Sequence, residues 1–275
     1  MALVMRHSGL VGPAPPLSQP PPVAGLPAGA VTAMADVMAL DATNTGYTGT
    51  LTASSGFGTT AANQVFQNLR ITGRVQIYHP GAILRNCEII GRPGTPVDPY
   101  CVLADYRDVP PDGGVTLENC TIHGADNAVG GIIKLLYRCN MYNVSNGPNP
   151  SAPGGGRFVN CYIHDLSNAA GSHDDGIENN GASGVEILYN KIVVPWPDAS
   201  GGTNAAIMQT SYFDPITSGL IKGNYLEGGG YTVYVTDNPP RICRTTVQDN
   251  TIKKGFHGYF YITGPDVTLI NNTLI

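Results

Sequence analysis

NCTIHG, from Asn119 to Gly124, is a phrase that this chain repeats. Ahead of it stand NLRITG at Asn68 and NCEIIG at Asn86. Behind it come RCNMYN at Arg138, NCYIHD at Asn160, YNKIVV at Tyr189, GNYLEG at Gly223, DNTIKK at Asp249 and NNTLI at Asn271. The second residue of each phrase is Leu69, Cys87, Cys120, Cys139, Cys161, Asn190, Asn224, Asn250 or Asn272. Two residues later there is always a long aliphatic side chain: Ile71, Ile89, Ile122, Met141, Ile163, Ile192, Leu226, Ile252 and Leu274. The residue just before is often Asn, as at Asn68, Asn86, Asn119, Asn160 and Asn271. The steps between phrases are 18, 33, 19, 22, 29, 34, 26 and 22 residues. A constant strand core with an irregular step predicts a solenoid whose turns differ in their loops. A leucine-rich repeat would keep a tighter period, and a propeller would repeat at about 40 residues.

Further strands flank these cores. CVLA at Cys101, GIIKLL at Gly131, GIEN at Gly176, AIMQ at Ala206, TVYV at Thr232 and YFYI at Tyr259 read as a second strand of their turns. VTLEN at Val115, VEILYN at Val185, TTVQDN at Thr245 and VTLINN at Val267 read as a third. Stacked turns would then form parallel sheets with strands about 4.8 Å apart and the aliphatic position facing inward.

Composition agrees. Of 275 residues only 13% are charged, while there are 35 Gly and 22 Pro. That excludes a helix bundle or coiled coil and suits a β fold with many turns. A net charge of -5 argues against a nucleic acid as partner. No run of 18 apolar residues is present to cross a membrane. Met1–Met5 is followed at once by Arg6 and His7, too short for the apolar core of a signal peptide. Six of the eleven residues from Gly12 to Pro22 are proline, which predicts a polyproline arm. The expected organisation is an anchoring arm over 1–46 and a β-helix over 47–275, with one short helix or strand between Ala28 and Leu40. The last residues fall inside a strand core, so that end is expected to be covered by a symmetry mate, another protein or a loop.

These features resemble the right-handed parallel β-helices of the pectin-lyase-like superfamily, over roughly residues 50–275. The strings TGYTGTLTASSGFGTT (Thr45–Thr60), SHDDGIE (Ser172–Glu178) and NYLEGGGYTVY (Asn224–Tyr234) resemble virion β-helix proteins of phages of actinobacteria more closely. The resemblance implies an all-β solenoid of about nine rungs. It does not fix the chemistry, because the same fold carries lyases, hydrolases, epimerases, tailspikes and adhesins.

The cysteines share one repeat position with the asparagines. Cys87, Cys120, Cys139 and Cys161, continued by Asn190, Asn224, Asn250 and Asn272, therefore read as a structural ladder inside the solenoid. Free thiols are expected there rather than disulfides, and no CxxC spacing suggests zinc. No metal or cofactor is expected.

One cluster promises chemistry: His173, Asp174, Asp175 and Glu178. Glycoside cleavage needs two carboxyls about 5 to 10 Å apart. Alternation sends Ile177 inward and Glu178 outward. Lys134, Gln209 and Tyr234 are expected on equivalent strands of neighbouring rungs, with Tyr231 and His257 close by, as a sugar-binding surface. Against this, Asp-Asp-Gly is also ordinary turn chemistry. Polygalacturonases carry paired aspartates as at Asp174 and Asp175, but also a Gly-His-Gly on the next rung and an Arg-Ile-Lys further on. Here the next rung reads NKIVVPWP, with neither. Pectate lyases need an acidic calcium site and an arginine base, and no Arg lies near this strand. Trp196 reads as a lid on the groove or as part of a subunit interface.

The expected function is a virion structural protein, minor tail or tailspike-like or capsid-decorating, held to other virion proteins by its arm and touching host-surface glycans. A homo-oligomer is expected, a trimer in a tail by resemblance to tailspikes. The alternative is a polysaccharide lyase or glycoside hydrolase acting through Asp174, Asp175 and Glu178. A secreted adhesin fits less well without a signal peptide.

Overall fold

The computed structural model describes residues 23–92, 99–167, 174–196 and 204–275. Apart from one short helix at Met34–Met38, its regular elements are strands, and the solenoid's strands pair in parallel. They form an 11-stranded sheet, a 9-stranded sheet and a 4-stranded sheet, called first, second and third below.

Each turn passes from a second-sheet strand, round a tight corner, into a first-sheet strand. The corner explains the asparagine that precedes each repeat position. Asn68, Asn86, Asn119, Arg138, Asn160, Tyr189, Gly223, Asp249 and Asn271 all adopt positive φ, between 49° and 68°. This left-handed conformation is costly for most side chains, and Gly, Asn and Asp bear it best. The next residue, Leu69 at the first corner and Cys or Asn at the others, points into the solenoid and is buried at Cys87, Cys120, Cys139, Cys161, Asn190, Asn224 and Asn250.

The aliphatic positions stack in register from Ile71 through Ile89, Ile122, Met141, Ile163, Ile192, Leu226 and Ile252 to Leu274. All but Leu274 are fully buried. The second sheet supplies the facing row, including Leu84, Leu117, Leu136, Phe158, Ile187, Ile221 and Val247. Burying each such side chain contributes about 1.5–3 kcal/mol, so the rows hold the rungs together.

The amide ladder is continuous. Asn224 Nδ2 donates to Ile187 O and to Asn250 Oδ1, each at 2.9 Å. Its Oδ1 accepts from the backbone N–H of Asn190 at 2.8 Å and from Asn190 Nδ2 at 3.0 Å. Asn250 and Asn272 repeat the pattern against Ile221 O and Val247 O. The thiols reach the same row of carbonyls more weakly: Cys87 Sγ to Phe66 O at 3.7 Å, Cys120 Sγ to Leu84 O at 3.5 Å and Cys139 Sγ to Leu117 O at 3.6 Å. All six cysteines are buried and free.

Residues 23–48 run along the outside of this corner. Val23, Leu26, Val31, Met34, Val37 and Leu40 pack against Tyr137, Val159, Leu188 and Tyr189. Asn160, at its positive-φ corner, accepts from Val31 N–H at 2.8 Å and donates to Val31 O at 2.9 Å. Asn86 makes the same two-way contact with Thr48. Arg138 donates to Gly29 O and Lys191 to Leu40 O. So the part of the expected arm from residue 23 onward is laid on the β-helix itself. Its Pro-rich part up to residue 22 lies outside the described residues.

Candidate functional site

The third sheet comprises Asp175–Asn179, Ala205–Thr210, Tyr231–Thr236 and Gly258–Ile262. Ile177, Ile207, Val233 and Phe260 form one row facing the core. The adjacent row is Glu178, Met208, Tyr234 and Tyr261, each partly or largely exposed. The expected alternation of Ile177 and Glu178 is therefore what the sheet shows.

Glu178 is held as a hydrogen-bond acceptor on both oxygens. Asn149 Nδ2 donates to Oε2 at 2.8 Å and Asn180 Nδ2 to Oε1 at 2.7 Å. Asp175 is in the opposite condition. It is fully buried, and neither carboxylate oxygen has a well-formed hydrogen bond. Burial, then the nearby charges of Glu178 and Asp174, push its carboxyl well above the usual range. The Asn204 side chain and the Ala205 peptide offset this only in part. Asp174 is equally buried. The result is a buried Asp175 whose carboxyl is pushed upward, beside an amide-bound Glu178.

Two aromatic surfaces flank this pair. On one side is a cleft of about 650 Å³ lined by Tyr100, Tyr106, Asn149, Asn180, Phe213 and Asp214, among others. Tyr106 and Phe213 are 59% and 65% exposed. The Tyr100 phenol is raised by burial and then by the charge of Glu178, which places that carboxylate next to the cleft. On the other side rings follow one another: Trp196 to Phe256 at 6.3 Å, Phe256 to His257 at 4.8 Å, His257 to Tyr231 at 5.5 Å, Tyr231 to Tyr234 at 5.5 Å and Tyr234 to Tyr261 at 5.2 Å. Burial and then Tyr231 and Asp175 raise the Tyr234 phenol, which links this surface to the carboxyl pair.

The structure thus brings together Asp174, Asp175, Glu178, Tyr231, Tyr234 and His257. His173 lies outside the described residues. Two expectations are corrected. Gln209 is not a surface residue: it is fully buried, accepts from Asn179 Nδ2 at 3.3 Å and donates to the Thr245 hydroxyl. It sits two residues after Ile207 and so shares its inward side. Lys134 is not on the third sheet. It lies in the second-sheet strand Ile133–Tyr137, at the register shift between Ile133, which pairs with Val115, and Leu135, which pairs with Thr116 and Arg157. The turn that starts at Cys120 has no long loop, so its strand Thr121–Gly131 continues until the second sheet begins.

Tyr100, Tyr106, Asn149, Asn180, Phe213 and Asp214 escape the sequence reading. They come from several different turns and none occupies a repeated position, so periodicity gives no signal for them. The exposed pair Tyr212-Phe213, beside Asp214, is the one local hint.

Chemically, the pair has one feature of a glycosidase, two carboxyls close together in unlike surroundings, one buried and one hydrogen-bonded at the surface. Yet Asp175 presents no surface, and both Glu178 oxygens are already engaged. Rings, amides and hydroxyls around a fixed carboxylate suit holding a sugar chain: apolar sugar faces stack on aromatic rings and hydroxyls meet amides. Among the described residues no three His, Cys, Asp or Glu side chains converge to hold a metal ion.

Residues 42–274 match the right handed beta helix region family. The chain belongs to that family. No curated protein and no solved structure matches it. Membership accounts for the stacked rungs, and leaves the third-sheet face to be read from its own side chains.

Proposed function

We propose that this chain is a phage virion β-helix that binds a surface polysaccharide along its third sheet without cleaving it. The observation that carries the reading is the run of rings along the third sheet together with the Tyr100–Phe213 cleft beside an amide-held Glu178. The virion placement is supported by the strings at Thr45–Thr60, Ser172–Glu178 and Asn224–Tyr234 and by the Pro-rich stretch at Gly12–Pro22. Anchoring to other virion proteins is assigned to residues 1–22, because the rest of the arm packs on the β-helix.

Affinity electrophoresis of the full chain against a panel of envelope polysaccharides tests the binding. Retardation by at least one polymer is expected, reduced tenfold or more by Tyr106→Ala combined with Phe213→Ala. A variant retarded as strongly as the wild type would remove the cleft from the function.

A second reading, cleavage, draws on the buried Asp175, its carboxyl raised by burial, beside Glu178. The same incubations are assayed for new reducing ends and for unsaturated uronate absorbance. No product is expected. Product formed by the wild type and lost in Asp175→Asn would make the chain an enzyme.

A further inference from the structure

Side chains on the outside of the solenoid hold residues 23–48 by their backbone carbonyls. Arg157 Nη1 donates to Ala24 O at 3.1 Å and to Gly25 O at 2.7 Å. The Tyr137 hydroxyl donates to Ala28 O at 3.0 Å, and Arg138 to Gly29 O at 2.8 Å. Asn160 and Lys191 do the same for Val31 O and Leu40 O. A proline can be held in this way, because it keeps its carbonyl and lacks only the N–H. The segment also has a direction. Followed from Val31 towards its start, it passes from the corner at Asn160 to Arg157, three residues earlier and in the second-sheet strand Gly156–Val159. The description begins at Val23, which packs against the same apolar patch as Leu26 and Val31.

Beside Arg157 the surface is hollow. A groove of about 390 Å³ runs from Arg157 and Glu186, past Lys134, to Pro111 and Asp112 on the loop before Val115–Glu118. Gly155, Gly156 and Gly184 line it and put no side chain into it. At Gly184 an added Cβ would meet nothing within 4 Å. Lys134 is exposed there, and no described residue pairs with its ammonium. It stands on Ile133–Tyr137, the strand next to that of Arg157. The three residues before Val23 are Pro20, Pro21 and Pro22. Three residues of polyproline backbone span about 9 Å. That is about two strand spacings, enough to pass from the strand of Arg157 over that of Lys134. Proline rings offer apolar surface to a hollow without side chains, and their carbonyls suit an ammonium. We infer that Pro20–Pro22 of the same chain occupy this groove, with Lys134 donating to one of their carbonyls as Arg157 does to Ala24 and Gly25. The inference goes beyond sugar binding and does not depend on it. It narrows the anchoring segment proposed above to residues 1–19 and brings that segment off the body at the second sheet.

Cross-linking within the full chain by a short bismaleimide tests the inference. Gln19→Cys leaves the three prolines and Lys134 in place. It is combined either with Asp112→Cys, in the groove, or with Ser218→Cys, on the loop before Gly219–Lys222. Both positions are exposed, and the strands that follow them lie two places from Gly156–Val159 on opposite sides. A tail that left the surface at Val23 would therefore reach either alike. The six native thiols are buried and shielded from the reagent. Intrachain cross-linking to Asp112→Cys should be at least tenfold faster than to Ser218→Cys. Adding Lys134→Ala should slow the fast reaction at least threefold. Equal rates at the two positions would overturn the inference. Cross-linked dimers as the main product would overturn it too, by placing the segment on a second copy. A fast reaction unmoved by Lys134→Ala would also overturn it, by removing the carbonyl contact on which the placement rests.

Discussion

Two sets of buried polar groups lie within this solenoid, and they are treated in opposite ways. At the corner, Asn190, Asn224 and Asn250 are buried to about 1% exposure or less, and their amides find partners above and below. At the third sheet, Asp175 is just as buried but has no well-formed hydrogen bond to its carboxylate. A satisfied buried amide holds a fold in one register, while an unsatisfied buried carboxyl weakens it. The first set is architecture. The second is a cost that packing alone does not require, and it sits next to the surface assigned to the ligand.

The amide column gives the largest effect. Asn224→Leu keeps the number and branching of side-chain heavy atoms and removes four hydrogen bonds. Ile187 O loses its amide donor, and the N–H and Nδ2 of Asn190 lose their acceptor. Each stranded group costs about 1–3 kcal/mol. A loss of about 4 kcal/mol is expected in urea unfolding, a large share of the roughly 5–15 kcal/mol of a typical domain. A loss below about 1 kcal/mol would mean that the column adds little beyond its packing.

Asp175→Asn should act in the other direction. The folded-state carboxyl is raised above its unfolded value of about 3.9. Its contribution is therefore fully present below about pH 4 and is lost as pH rises toward the folded value. The amide carries no charge in either state. The variant should be more stable than wild type by about 2 kcal/mol at pH 7, with the advantage vanishing below about pH 4. Denaturant midpoints at pH 7 and pH 3.5 provide the check. A variant less stable than wild type at pH 7 would show that the Asp175 carboxylate is well satisfied, and the contrast with the amide column would disappear.

This contrast also explains what the sequence makes legible. The column is visible because Cys120, Cys139, Asn190 and Asn224 recur at one position, and a solenoid repeats only what every rung needs. The asparagines that precede them recur because the corner needs positive φ; Arg138 and Tyr189 break the pattern where residues 23–40 pack over the corner. The site is less legible because it is not repeated. Glu178 could be placed by strand alternation. Gln209 could not, because its inward amide is matched by Asn179 and Thr245 from neighbouring turns. Lys134 falls in the second sheet and not the third because a strand of eleven residues, Thr121–Gly131, replaces a strand and loop. Phe213 and Tyr106 lie in loops, where period carries no information.

The smallest effect is expected at the thiol end of the same column. Cys139 donates only weakly, to Leu117 O and Tyr137 O at 3.6 Å each, and among the described residues no backbone N–H donates to it as Asn190 N–H donates to Asn224. Cys behaves here chiefly as a small hydrophobe. Cys139→Ser loses some apolar burial and gains a stronger donor aimed at the same two carbonyls. These terms oppose each other, so a net loss under about 1 kcal/mol is expected. Urea midpoints of Cys139→Ser and Asn224→Leu, measured side by side, set the two ends of the column against each other. Equal losses would mean that the thiol is bound into the ladder as firmly as the amide. A loss several times smaller at Cys139 would show that this end stays in register through its apolar rows, with Leu117, Met141 and Phe158 stacked around the sulfur's corner, rather than through its polar column.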